Sequence, residues 1–154
     1  MYTRRRFLLA SIALAFVLPR VLYSKSASQK TNITKSQLKV LSRLARCIAE
    51  VETGNNDDLM GKVGERSKYQ ISESVWRQHY GNRAFIECYG INADECAIKH
   101  LTWLSQNKLP SPAIFWLAYA WNAGLTRANE PEVSFSAYPF AKCVENLYND
   151  RNFK

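Results

Sequence analysis

The stretch SPAIFWLAYAWNAG, Ser111 to Gly124, decides the fold. Ser111 followed by Pro112 is a helix start: a side-chain oxygen suits the N-cap, and Pro suits the first helical position. From Ala113 to Ala123 the residues are apolar on nearly every side, which predicts a central buried helix ended by Gly124. Such a helix needs others around it, and the flanking patterns supply them. Leu38, Leu41, Ala45 and Ile48 recur at spacings of three and four, widened by Leu44 and Val51. They predict a helix from about Ser36 that Gly54 stops. Ser72 can cap a short helix through Val75 and Trp76 to Tyr80, ended by Gly81. Asn92-Ala93-Asp94-Glu95 has the shape of a capping box opening a helix through Trp103. A last amphipathic helix covers roughly Ser136 to Tyr148. Gly54 to Gln70, rich in Gly, Asn and Asp, reads as loop or a small β-hairpin. The fold class is mainly α, in α+β form, with one irregular insertion and no internal repeat.

A chain of 154 residues suits one domain. At 47% hydrophobic and 22% charged it is neither disordered nor collagenous. Its 21 basic and 13 acidic residues give +8, which invites nucleic acid, an anionic membrane or an anionic polymer. The N-terminus accounts for most of that charge. Residues 1–27 divide into a basic start (Arg4, Arg5, Arg6), an apolar run from Phe7 to Leu18 and a polar exit from Tyr23 to Ala27. That is the layout of a secretory signal, and its apolar run is shorter than the ~20 residues that span a bilayer. Thr3 to Leu9 resembles the twin-arginine export motif. A general-secretion signal and an uncleaved anchor are the alternatives. Small residues at Ser24, Ser26 and Ala27 allow cleavage, and no Cys there suggests a lipoprotein. The expectation is an exported bacterial protein, periplasmic or secreted, with no membrane span once the signal is removed. A flexible lead-in over 28–35 would precede a domain over 36–150. Without Arg4, Arg5, Arg6, Arg20 and Lys25 there remain 16 basic residues against 13 acidic, or +3. Export, and the lack of a basic helix or stacked-aromatic sheet motif, argue against nucleic acid.

In an oxidising compartment the even count of Cys47, Cys88, Cys96 and Cys143 suggests two disulfides. Cys88 and Cys96 flank the apparent turn Tyr89-Gly90-Ile91-Asn92, which makes a local bridge plausible and leaves Cys47 for Cys143. Four thiols is the alternative. No C-x-x-C or H-x-x-x-H spacing points to a metal, and His79 and His100, on separate helices, read as structural. No cofactor is expected.

Glu52 carries the sharpest chemical signal. It lies four residues after Ile48, on the apolar face of its helix, whereas Glu50 is turned about 200° away toward water. A carboxylate at the end of a buried stripe is costly to ionise, which raises its pKa and prepares a general acid. A Glu merely hydrogen-bonded at a helix end is the competing reading.

Glu52-Thr53-Gly54 resembles the Glu-Ser/Thr-Gly motif of the soluble lytic transglycosylase and goose-type lysozyme superfamily. Tyr69-Gln70-Ile71, within Gly64 to Ile71, is similar to its Gly-x-x-Gln-Ile-like block. Ala118-Tyr119-Ala120-Trp121-Asn122-Ala123-Gly124 is similar to its Ala-x-x-Tyr-Asn-Ala-Gly block. Phe140 to Tyr148 is similar to its last helix. The likeness spans about Gln37 to Tyr148. Ser67 stands where the family has Gly, and Trp121 where it usually has Tyr. The family's phenol near the catalytic Glu falls at Phe140 here, with Tyr138 two residues earlier.

The resemblance implies a lysozyme-like fold and cleavage of the β-1,4 bond between N-acetylmuramic acid and N-acetylglucosamine in peptidoglycan. Glu52 would protonate the glycosidic oxygen. In a lytic transglycosylase the same carboxylate then takes a proton from the sugar's 6-hydroxyl, which attacks C1 and leaves a 1,6-anhydro end. An inverting hydrolase needs a second carboxylate roughly 6.5–9.5 Å away to hold a water. Glu65 is that candidate, against a solvated charge or a partner of Arg66; Asp57 and Asp58 are weaker ones. The amides of Gln70 and Asn122 suit the sugar's N-acetyl and hydroxyl groups, or else loop and helix-end backbone. Ser67, Tyr69, Tyr119, Trp121 and Tyr138 complete the substrate-binding set, although core packing competes for Phe115, Trp116 and Tyr119. Trp76 and Trp103 read as core or groove wall. A monomer acting on glycan strands is expected, with a catalytically weak glycan-binding or scaffold relative as the alternative.

Overall fold

Thr34 opens the first helix. Its hydroxyl accepts from the Gln37 N–H at 3.2 Å, and the Gln37 side chain accepts from the Thr34 N–H at 2.9 Å. This reciprocal cap satisfies two otherwise orphaned donors. The computed structural model describes residues 33–133 and 135–153, which belong to one unit beginning at Asn32. The export segment over 1–27 and most of the lead-in lie outside the described residues. Helix α1 spans Lys35–Thr53, α2 Glu73–Tyr80, α3 Gly90–Gln106, α4 Ile114–Ala123, α5 Leu125–Ala128 and α6 Ala137–Asn149, with a 3₁₀ turn over Phe85–Glu87. The domain is mainly helical. No helix among the described residues is long and apolar enough to cross a membrane.

Helix α4 is the central element the sequence predicts. Leu117, Ala118, Tyr119 and Ala120 are buried, and α4 packs against α6, α3 and α1. Ala118 and Ala120 on α4 meet a neighbour, α6, that buries Ala137 and Ala141, so small side chains let the helices approach closely. Its start differs from expectation. Ala113 is the N-cap, and the Ser111 hydroxyl accepts from the Ala113 N–H at 3.3 Å in the turn before the helix.

Arg43 ties α1 to the end of α6. Its guanidinium donates to the carbonyls of Tyr148 (3.0 Å) and Asp150 (2.6 Å) and lies 5.3 Å from the Tyr148 ring centre. A cation there satisfies orphaned carbonyls and suits the negative end of the helix. Trp76 is fully buried, stacks on Tyr80 at 4.3 Å and donates to the Arg83 carbonyl at 3.0 Å, which fixes α2 and the loop after it.

Helix α3 corrects the capping-box reading. It begins at Gly90, so the apparent turn Tyr89–Asn92 contains its first residues, and it runs on to Gln106. Its N-cap, Tyr89, makes no side-chain cap bond. Asp94 instead accepts from the Tyr69 hydroxyl at 2.8 Å and pairs with Lys68 at 2.9 Å. The cap comes from a distant loop: an Asp57 carboxylate oxygen accepts from the Gly90 N–H at 2.9 Å.

The irregular insertion holds no named strand. It reduces to one antiparallel bridge, with Arg66 and Ile71 exchanging two backbone bonds of 2.9 Å. Closing the four residues between them puts Ser67 at φ 66 and Gln70 at φ 50, left-handed values that cost a non-glycine residue about 1 kcal/mol. Ser67 is the position where the resembled family has Gly. Its hydroxyl accepts from the Tyr69 N–H at 3.3 Å and bonds the Cys88 thiol, which offsets part of that strain.

Where the sequence suggests two disulfides, the structure has all four cysteines as free thiols. Cys47 is fully buried in α1 while Cys143 sits on the exposed side of α6, so that pair faces different surroundings. Cys88 and Cys96 are both buried in the core, and the Cys88 charge acts on Cys96. Burial above all pushes them up to about 11 and about 12, so both stay protonated near neutrality.

Candidate active site

Glu52 sits in the last turn of α1, as its spacing predicts. Thr53 and Gly54 build its surroundings. The Thr53 hydroxyl shares its one proton between the Ala49 carbonyl (3.2 Å) and the Lys68 carbonyl (3.0 Å) and accepts from the Asn56 N–H at 3.0 Å. It thereby clamps the 66–71 loop to the helix end. Gly54 takes the left-handed conformation that ends α1, at φ 64, and turns the chain away from Glu52.

A cleft of about 370 Å³ lies over this junction, lined by Glu52, Glu65, Gln70, His100, Trp121 and Asn122, with Lys62, Ile71, Ser72 and Val75 completing its wall. It is the size of a small-molecule site. Three of the sequence blocks meet here: the end of α1, the 61–72 loop and the C-terminal end of α4. No hydrogen bond from a described residue reaches the Glu52 carboxylate. Burial first, and the Glu65 charge second, raise Glu52 from 4.5 to about 7. The carbonyl end of α1, which has no basic residue in its last turn, acts in the same direction. A carboxyl poised near neutrality is suited to giving and taking a proton.

Glu65 is brought to the same cleft by a tight loop. The Gly61 N–H donates to the Glu65 carbonyl at 2.9 Å, and the Val63 N–H donates to the Glu65 carboxylate at 3.1 Å. Gly61 is required for space. A Cβ there would collide with the Glu65 carboxylate and lie 2.5 Å from Gln70 Oε1. Among the described residues Glu65 makes no ion pair with Arg66, whose guanidinium lies 5.4 Å from the Phe85 ring centre.

The remaining sequence-predicted residues divide. Trp121 and Asn122 line the cleft at the end of α4, Asn122 exposed. Gln70 lines it too, but its amide donates to the carbonyls of Leu59 (3.0 Å) and Ser67 (3.1 Å), so its NH₂ holds the loop. Tyr69 is buried beside the cleft, its ring 6.4 Å from Trp121 edge-on and its hydroxyl bound to Asp94. Tyr119 is fully buried and packs in the core near Phe115 and Trp116. Tyr138 lies edge-on to Phe115 at 5.4 Å and does not line the cleft. Ser67 faces a second cleft, of about 250 Å³, with Asp57, Asp58 and Arg66. There Asp57 accepts from the N–H groups of Lys68 (3.0 Å) and Gly90, and Asp58 from the Tyr89 hydroxyl (3.0 Å). Both are thereby structural acids.

Sequence reasoning missed Lys62, Ser72 and His100. His79 and His100 also form a pair, Nε2 of His79 to Nδ1 of His100 at 3.1 Å. Their separation of 21 residues across two helices carries no local pattern. No group of three or more His, Cys, Asp or Glu among the described residues is placed to hold a metal ion. No known family model, curated protein or solved structure matches this chain.

Proposed function

We propose that this protein is an exported peptidoglycan-cleaving enzyme that cuts the β-1,4 bond between N-acetylmuramic acid and N-acetylglucosamine, with Glu52 as the proton donor. One observation carries the reading: Glu52 lines a polar cleft without a hydrogen-bond donor from the described residues and holds its proton up to about pH 7. The amide of Asn122 and the ring of Trp121 give that cleft groups that suit an N-acetylated sugar. The resemblance to lytic transglycosylases and goose-type lysozymes names the polymer, and the export signal in residues 1–27 agrees with an extracytoplasmic substrate. The protein acts as a monomer without a cofactor.

Protonation of the glycosidic oxygen leaves Glu52 ionised. In the transglycosylase route this carboxylate then deprotonates the 6-hydroxyl of the same sugar, which closes onto C1. A hydrolytic route is favoured by one feature, the placement of Glu65. Its carboxylate shares the cleft, is fixed by Val63 and acts on Glu52 through its charge. Among the described residues it is the only other acid that lines this cleft, and it would hold the attacking water.

Purified sacculi test the proposal. The wild-type chain should release soluble muropeptides, and Glu52→Gln should lower the rate by roughly 10²–10⁴-fold, the range of a general acid. Equal release by the variant would leave a glycan-binding or scaffold protein. Mass spectrometry of the products separates the routes, since anhydro ends weigh one water less than reducing ends.

A further inference from the structure

His100 is a buried polar side chain, 7% exposed, in the wall of the Glu52 cleft. Three contacts fix its ring. Trp103 stacks on one face with centroids 5.4 Å apart and planes at 16°, Trp121 meets it edge-on at 5.4 Å, and His79 takes Nδ1 at 3.1 Å. That leaves Nε2 with no hydrogen-bond partner among the described residues. Since no buried side-chain nitrogen or oxygen there lacks a partner, Nε2 is reached by solvent, and the open space beside His100 is the cleft. We propose that His100 is a glycan-binding residue that presents Nε2 to a sugar hydroxyl, and that His79 is a positioning residue that sets which tautomer His100 adopts. The inference rests on the glycan-cleaving reading of the cleft.

The chemistry follows from the pair. Burial is the main cause that lowers both imidazoles to about 4, with Lys99 acting further on His79 and His79 on His100. At neutral pH each ring therefore carries one proton. If His79 Nε2 donates to His100 Nδ1, the His100 proton sits on Nε2 and faces the cleft as a donor. If His100 Nδ1 donates, Nε2 faces the cleft as an acceptor. A hydroxyl both donates and accepts, so it is matched by either state. A carboxylate or phosphate would be matched by only one, without the charge that usually binds it.

The experiment uses the Glu52→Gln chain, so that the ligand survives, with ¹⁵N-labelled histidine and an unbranched tetrasaccharide of alternating N-acetylglucosamine and N-acetylmuramic acid. Binding should shift the His100 Nε2 resonance. His100→Gln in that chain should weaken the dissociation constant roughly tenfold, the worth of one well-placed hydrogen bond. His79→Gln keeps an amide that can donate to or accept from Nδ1 and should bind like its parent. His79→Leu should lose the tautomer preference, read in the His100 ¹⁵N shifts, while the hydroxyl, matched by either tautomer, keeps the affinity near the parent's. A packing role alone would make Leu the better replacement. If wild-type protein dissolves sacculi while the tetrasaccharide leaves the His100 Nε2 resonance unshifted and His100→Gln leaves the dissociation constant unchanged, this inference is overturned and glycan cleavage stands. If the tetrasaccharide shifts Nε2 but sacculi are untouched, the binding role stands and the cleavage reading fails. No binding at all removes both.

Discussion

Two clefts flank the 54–71 loop, and each contains carboxylates, yet they treat them in opposite ways. Asp57 points at the N-terminal end of α3, the positive end of that helix, and accepts from two backbone N–H groups. Glu52, five residues earlier, lies at the C-terminal end of α1, the negative end, with no donor from the described residues and with Glu65 opposing it. Asp57 fastens the loop to α3 through two backbone N–H groups. Glu52 keeps its proton because nothing rewards losing it. The candidate acid is distinguished by its burial, by the opposing Glu65 charge and by the donors it lacks. That contrast can be broken or sharpened by substitution.

The largest effect is expected at Gly61. Alanine there presses on Glu65 and Gln70 and works against their bonds to the Val63 N–H and to the Leu59 and Ser67 carbonyls, so the loop also loses some stability. Under the hydrolytic route a misplaced Glu65 should cost roughly 10²-fold in kcat. Under the transglycosylase route Gly61→Ala should be nearly silent. Steady-state rates on soluble glycan strands, beside a denaturant titration of the same variant, distinguish the two.

Asp57→Ala comes next. It strips the acceptor from the N–H groups of Lys68 and Gly90 and should destabilise the fold by about 2 kcal/mol, given the cost of unpaired, partly buried donors. The pH of half-maximal activity should stay where Glu52 sets it. A shift of that pH by a whole unit would mean that the two clefts are not independent.

The smallest effect runs the other way. Glu52 keeps its proton to about pH 7 when folded, whereas an ordinary carboxyl loses it near 4.5. The native state is therefore favoured in full below 4.5, and that advantage is lost as pH rises through 7. Glu52→Gln never ionises, so it should be more stable than wild type at pH 8, by about 1 kcal/mol once partial solvent screening is allowed for. At pH 4 the two should unfold together. Thermal unfolding at both pH values checks this, and a variant less stable at pH 8 would place a hidden donor on Glu52.

The helices and the candidate acid were largely legible in the residues. Gly54, Gly81 and Gly124 end helices where the periodicity stops, and Ser72 and Gly54 act within a few residues of the groups they satisfy. Errors arose where a cap came from far away. Asn92-Ala93-Asp94-Glu95 looked like a start signal, yet α3 takes its cap from Asp57, 33 residues back from Gly90, and Asp94 goes to Tyr69 and Lys68. Tyr119 and Tyr138 share the chemistry of sugar-stacking rings, but whether a ring faces core or cleft depends on what packs over it. Tyr119 is covered in the core, while Tyr138 is 48% exposed outside the cleft lining.

By itself the sequence determined the central α4, the order of helices around it, and a carboxylate on the apolar face at the end of α1. Those follow from helical period, capping and glycine, which act over one or two turns. Only the tertiary structure decided which acids the backbone satisfies, that Glu65 and His100 share the cleft with Glu52, and that His79 and His100 meet. Each of these is a meeting of elements joined by aperiodic chain, and it exists only once packing has set the distances between them.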